Sequence, residues 1–291
     1  MNRGIDHLVL CVDDLEEART FYGAMGFQLT PSAQHPFGTA NSLVQLQGNF
    51  LELLTVADAT LIKPPPKGQF SFAQYNQTYL AEGEGMSMLV FESQDARADQ
   101  AEFKLKQLDT YAPFDFSRKA VLPSGEEVTV GFSLAFATHP EMPRAVYFCC
   151  QQHAPQHFWK PAYQTHDNGA QAVASVVLVA AEPGRYVSFF QALQGTDAVT
   201  ETADGYLATT ARGTVSVISP EAYEHTYGPG TAPDLAQGPR FAAMVIDVAD
   251  LDTVARICAD NNVAIETTSG AIRVSSAEAF GTLIEFRESQ T

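Results

Sequence analysis

The sequence is poor in positive charge. Its 17 Lys plus Arg stand against 34 Asp plus Glu, a formal net charge of -17. That balance repels phosphate backbones and anionic lipid surfaces, so neither nucleic acid nor membrane is expected as a partner. No apolar run approaches the ~18 residues that a transmembrane helix needs. The opening MNRGIDHLVL runs straight into a strand and lacks a signal-peptide pattern, so a cytoplasmic location is expected. Cysteine is scarce: Cys11, Cys149, Cys150 and Cys258 form no CxxC pair and no disulfide framework. They fit buried thiols in a reducing compartment. P-loop, dinucleotide GxGxxG, HExxH and GxSxG motifs are also missing. Their absence removes the sequence signatures of several large enzyme classes.

What is present is a repeat. The 291 residues, 45% of them hydrophobic, suffice for two packed domains. The first unit, from Gly4 to Leu54, opens on a strand in which His7, Val9 and Cys11 share one face. Asp13 and Asp14 then start a helix with an apolar stripe of Leu15, Ala18, Phe21 and Tyr22, ended by Gly26. Strands are predicted at Phe27 to Leu29, Ser42 to Gln47 and Asn49 to Thr55, with Phe50, Glu52 and Leu54 on one face. Similar units restart at Ser87, Val173 and Phe241. The long stretch from Ala57 to Gly85 reads as a lid or as a surface excursion packed by Phe70, Phe72 and Tyr75. A second excursion covers residues 219–239. Four βαβββ units account for the chain: residues 1–153 as an N-terminal domain, 154–171 as a connector with the single Trp159, and 172–291 as a C-terminal domain.

The segments GIDHLVLCVDDLEEARTFYGAMGF, GNFLELL, FCCQQHAPQHFW, THDNGA and GTLIEF resemble the vicinal oxygen chelate superfamily, specifically its glyoxalase-like domain proteins. The resemblance covers essentially the whole chain. It implies an α+β fold of tandem domains, each a pair of βαβββ modules curled into a cup. It further implies a divalent metal (Fe, Mn, Zn or Ni) held by a His on each module's first strand and a Glu on its last, acting as a Lewis acid in a lyase, isomerase or dioxygenase step. Here the carry-over is uneven. His7 and Glu52 match both positions of the first unit, and Glu52 is the candidate catalytic base. The second unit offers Met88 and, near the acid position, Cys149, Cys150 or Gln151. The third offers Ser175 and about Val217, and the fourth Ala243 and Glu285. The ligand set is incomplete, and Glu285 reads as structural or as a lone polar group in a second cup.

Each candidate has a plainer alternative. His7 and Glu52 fit a cup lining or a hydrogen-bonded buried pair. Cys149 and Cys150, being adjacent, point to opposite faces and fit core thiols. His153, His157 and His166 fit a bridge between domains, with His153 also placed to reach a pocket wall. Arg118 fits a holder of substrate carboxylate or a surface salt bridge. Arg118, Gln151 and His153 are thus the expected substrate contacts. Three functions follow. The N-terminal cup is a metal-dependent enzyme site, or it binds small molecules without catalysis as drug-sequestering members of the superfamily do. The C-terminal domain is an interaction scaffold. A small-molecule ligand is expected, with a monomer or homodimer.

Overall fold

The computed structural model describes residues 3–121 and 127–289; residues 123–126, the first four of a PSGEE stretch that the sequence pattern places as a turn between two strands, lie outside them. Two mixed sheets form two tandem domains. The first sheet comprises β1 (Ile5–Cys11), β2 (Ala33–Gln34), β3 (Thr39–Gln45), β4 (Phe50–Val56), β5 (Gly85–Ser93), β6 (Asp109–Thr110), β7 (Phe114–Val121), β8 (Glu127–Thr138) and β9 (Val146–Gln152). The second comprises β10 (Ala170–Val179), β11 (Val199–Thr202), β12 (Gly205–Thr209), β13 (Thr214–Ile218), β14 (Arg240–Val248), β15 (Glu266–Thr268), β16 (Ala271–Val274) and β17 (Leu283–Glu288).

Both sheets have the same plan. Two modules meet at their first strands, β1 against β5 and β10 against β14, antiparallel in each case. Each of those strands pairs in parallel with the last strand of its own module: β4, β9, β13 and β17. A parallel pair needs a crossover, and a helix supplies it. The helices are α1 (Leu15–Ala24), α2 (Phe72–Leu80), α3 (Ala96–Leu105), α4 (Pro155–Phe158), α5 (Val187–Gln194), α6 (Pro220–Tyr227) and α7 (Leu251–Asp260). Asp14, Asp95 and Asp250 each accept two backbone N–H bonds at the start of α1, α3 and α7, as their sequence positions require. The third unit differs: Glu182 makes no such cap, and Pro183 opens a 3-10 turn ahead of α5.

One expectation is revised, and two segments gain helices. Phe27 to Leu29 forms no strand; the edge strand lies later, at Ala33–Gln34. The two excursions are not structureless. Ser71 caps α2, whose Phe72, Ala73, Asn76 and Tyr79 are buried, and Ser219 caps α6, whose Ala222, Tyr223 and Tyr227 are buried. In both, the apolar residues follow helical spacing, which the surrounding Pro and Gly disguise. Among the described residues no helix is long and apolar enough to cross a membrane.

Strand alternation sorts the side chains into three cores. Leu8 and Leu10 of β1 face α1 and α3 and share one continuous core with Val176 and Leu178 of β10. Tyr147 lies there among Phe189, Phe190 and Phe241, with ring centroids 5.1 to 5.5 Å away. Each such ring contributes about 1.5–3 kcal/mol by leaving water, so the domains are welded rather than tethered. Asn49, fully buried, exchanges both side-chain hydrogen bonds with the backbone of Val173, at 2.9 and 3.1 Å. The opposite, concave faces hold the other two cores. The first is lined by Val9, Phe50, Phe148 and Cys150 and closed by α2. The second is filled by Tyr223 and Tyr227 of α6.

Candidate functional site

The concave face of the first sheet holds a small cavity of about 40 Å³, room for a few waters. Its walls are aromatic: Phe37, Phe50, Phe72, Phe116, Phe132, Phe148 and Phe158. Its polar groups are His7, His35, Asn41, Glu52 and Arg118. They come from β1, the turn before β3, β3, β4 and β7, so the whole sheet is needed to gather them.

His7 is set by its neighbours. Alternation would aim Asp6 at the opposite face, but the register of β1 against β5 slips between Ile5 and His7. This local bulge re-aims Asp6. Its carboxylate accepts from His7 Nδ1 at 2.6 Å and from Gln152 Nε2 at 3.3 Å. The His7 ring stacks on Phe50, with centroids 4.3 Å apart and planes 14° apart. Its Nε2 is left facing Glu52 Oε2 at 3.6 Å, past hydrogen-bonding distance. A reacting or liganding atom fits between the two.

Glu52 is 6% exposed, and a buried carboxylate needs donors. Asn41 supplies one, Nδ2 to Oε1 at 2.6 Å. The same Nδ2 faces His35 Nε2 at 3.3 Å, while His35 Nδ1 meets Thr39 Oγ1 at 2.8 Å. Burial pushes the His35 imidazole down to about 4, with Arg118 pushing the same way and Glu52 opposing. His35 is therefore neutral and accepts from Asn41. Arg118 is half-buried, and burial lowers its pKa against the pull of Glu52. Among the described residues its guanidinium makes no hydrogen bond and no ion pair. A guanidinium carries five donors, and here they are free to meet a ligand.

The metal implied by the resemblance can be tested on this donor set. Register fixes the equivalent positions. Val9, two residues after His7, pairs with Glu52; Val90, two after Met88, pairs with Phe148. The second module thus presents a thioether and a phenyl ring, both buried. The acid position is Phe148, not Cys149, Cys150 or Gln151 as residue counting suggests. Among the described residues no cluster of three or more His, Cys, Asp or Glu is placed to hold a metal. His7 Nε2 and Glu52 make a two-donor site, and a four-ligand centre does not fit this cup.

The remaining candidates are dispersed. Gln151, on β9, extends its side chain to the start of α3, accepting from Ala96 N at 3.2 Å and donating to the Gln94 carbonyl at 2.8 Å. His153 is exposed and bonds Ser133 at 2.8 Å. Ser133 alternates with Phe132 and Leu134, so this contact lies behind the cup. Cys150 lines the cup and Cys149 the opposite core; burial pushes both thiols well above their ordinary value. His166 is buried, its Nδ1 accepting from Gln28 N at 3.0 Å and its Nε2 meeting the Gln45 carbonyl at 2.8 Å. It fastens the connector to the first sheet. That connector also lays Phe158 and Trp159 against Phe50 as a wall of the cup.

Among the described residues the second cup holds no comparable group. Register places Ser216, not Val217, at the third acid position. Glu285 accepts from Arg273 Nε at 2.7 Å, and Arg273 lies over the Tyr227 ring at 4.8 Å. The ring and the ion pair occupy the space a ligand would take.

Asp6, His35, Asn41 and Phe158 were missed by sequence reasoning. Asn41 had a signal, being two residues from Leu43, the cross-strand partner of Glu52. His35 and Phe158 lie on irregular segments whose direction no period predicts.

The model of the glyoxalase-like domain family matches residues 5–194. No curated protein matches the sequence. Among solved structures, a hypothetical protein from Staphylococcus aureus aligns over 99% of this chain and 100% of its own, with 14% identity and a TM-score of 0.71. A mutant 4-hydroxymandelate synthase from Streptomyces coelicolor aligns over 100% and 94%, with 13% identity and a TM-score of 0.59. A 2,2',3-trihydroxybiphenyl 1,2-dioxygenase from Sphingomonas wittichii aligns over 99% and 91%, with 10% identity and a TM-score of 0.55. At such identities the likeness is one of fold.

Proposed function

Because the chain belongs to the glyoxalase-like domain family, whose fold offers a cup, we propose that the first domain binds a small aromatic acid in that cup. The observation that carries this reading is Arg118, a guanidinium that feels Glu52 but makes no hydrogen bond or ion pair among the described residues, at the edge of a phenylalanine-lined cavity. The ring of the ligand stacks among the phenylalanines, and its carboxylate meets Arg118 in a charge-assisted, bidentate contact. An oxygen or an acidic C–H of the ligand then faces His7 Nε2 and Glu52. Glu52 is the proton acceptor there, and Asp6 and Asn41 hold the two groups in place. The named compounds of two structural neighbours, hydroxymandelate and trihydroxybiphenyl, are likewise aromatic. The cavity is far smaller than the ~300–1,000 Å³ of ordinary ligand sites, so entry requires the aromatic wall to part.

Binding of 3-phenylpropionate, followed through the fluorescence of the single Trp159, tests this reading. Loss of a charge-assisted pair predicts about tenfold or greater weakening in Arg118→Gln, with Arg118→Lys in between. Equal binding of the neutral amide, 3-phenylpropanamide, by the wild type would sink the anion assignment.

A metal-dependent reading is favoured by one observation, that His7 and Glu52 share the cavity at 3.6 Å. Two donors predict weak and substoichiometric metal in tag-free protein. Elemental analysis showing one equivalent, lost in both His7→Ala and Glu52→Ala, would replace the metal-free reading.

A further inference from the structure

A second chamber adjoins the cup. It measures about 480 Å³, opens to solvent, and shares Asn41, Leu43, Arg118 and Phe158 with the cup. Its charge is the reverse of the protein's. Arg118, Lys119 and Lys160 line it beside His157, and no Asp or Glu does. Three of the chain's 17 Lys plus Arg thus gather in one chamber of a protein of net charge -17.

These cations are not equally committed. Lys119 is paired with Glu127. The Lys160 ammonium and the His157 ring, like Arg118, make no hydrogen bond or ion pair among the described residues. Lys160 is nonetheless fixed at its base, its backbone N–H donating to Gln45 Oε1 at 3.1 Å. Gln45 Nε2 in turn donates to the Phe158 carbonyl at 2.9 Å. One fully buried side chain therefore sets both the phenyl wall of the cup and the lysine of the outer chamber. Unpaired cations held together repel one another, and an anion relieves that cost.

We propose that the outer chamber is a second anion subsite, and that the ligand is bipartite: an aromatic end in the cup, one carboxylate at Arg118, and a second anionic group between Lys160 and His157. An aryl-substituted dicarboxylate or a phosphorylated aryl acid has this form. The inference rests on the reading of the cup as a site for a small aromatic acid. The chamber also explains how an anion approaches an acidic protein, since a local positive mouth focuses the field that a ligand follows.

Two probes that differ by one carboxymethyl group test the subsite: 3-phenylpropionate and benzylsuccinate, each titrated against the full chain with Trp159 as reporter. In the wild type at low salt benzylsuccinate is expected to bind about tenfold tighter, with the advantage shrinking as salt is added. The double variant Lys160→Gln, His157→Gln is expected to bring the ratio of the two affinities close to one. A wild type that binds both probes equally overturns the second subsite and leaves the cup reading intact. A ratio unchanged in the double variant overturns it likewise. A wild type that binds neither probe removes the cup reading and this inference with it. Circular dichroism of the double variant, expected to match the wild type, separates lost recognition from lost folding.

Discussion

Replacing Arg3 by Met is expected to cost about 3–5 kcal/mol of stability, the usual loss when one partner of a buried ion pair is removed. Arg3 is 5% exposed and Asp99 7%. The guanidinium donates to Asp99 Oδ1 from Nε at 3.0 Å and from Nη2 at 2.7 Å, to the Leu193 carbonyl at 2.7 Å, and to Glu102. Its backbone N–H reaches Gln194 at 3.2 Å, and its face lies 5.1 Å from the Phe103 ring. Asp99 and Glu102 belong to α3 of the first domain, Leu193 and Gln194 to α5 of the second. Arg3 is therefore a clasp between domains. Without it Asp99 keeps Ser93 as its remaining donor and stays buried. Urea unfolding checks the magnitude. The double variant Arg3→Met, Asp99→Leu should recover much of the loss, because the burial penalty of the orphaned carboxylate goes with it. A single-variant cost below about 1 kcal/mol would show that solvent reaches the pair freely.

The same clasp shows what kind of information the sequence carries. Repeats were legible because each unit states its strand and its helix in a local code, and three of the four add an Asp cap: Asp14, Asp95 and Asp250 stand where a cap must. His7 and Glu52 were legible for the same reason, each having a fixed place in a unit and an alternating apolar neighbourhood. Asp6 was not. Strand alternation assigns it to the wrong face, and the bulge that corrects this arises from pairing with β5, some eighty residues on. Register likewise decided Phe148 over the cysteines, since counting along one strand cannot see a one-residue slip against another. His35 lies in the turn before β3, and Phe158 in a four-residue helix opened by Pro155. Both enter the cup through tertiary packing alone. The domains were already distinguishable by the residues at their His and Glu positions, but the filling of the second cup is tertiary: Tyr223 and Tyr227 lie in a stretch that reads as an excursion until α6 is seen lying there.

Acid should loosen the first cup through His35, by about 2.5 kcal/mol between pH 7 and pH 4.5. In the unfolded chain this imidazole takes up its proton near 6.5; in the folded protein burial delays that to about 4. Between those values the unfolded state binds more protons. The stability tied to neutral His35 is thus complete above pH 6.5 and is lost as the pH falls toward 4. The ring leaves little room for the charged form. It lies 5.0 Å from Phe37 in a stack and edge-on to Phe72 and Phe116. Protonation would also turn Nε2 into a donor aimed at Asn41 Nδ2, which already donates to Glu52. Two donors would then face each other at 3.3 Å, and Asn41 would satisfy His35 by turning its oxygen inward and abandoning Glu52. Stability and site geometry are coupled by one amide. Other carboxylates titrate in this range as well, so the quantity to measure is a difference: urea stability at pH 7 and 4.5 for the wild type and for His35→Gln. The wild type should lose about 2.5 kcal/mol more than the variant across that interval, and ligand affinity at Arg118 should fall with it as Asn41 turns. Parallel pH dependence in the two proteins would mean that the cup admits water to His35 and that the coupling through Asn41 does not exist.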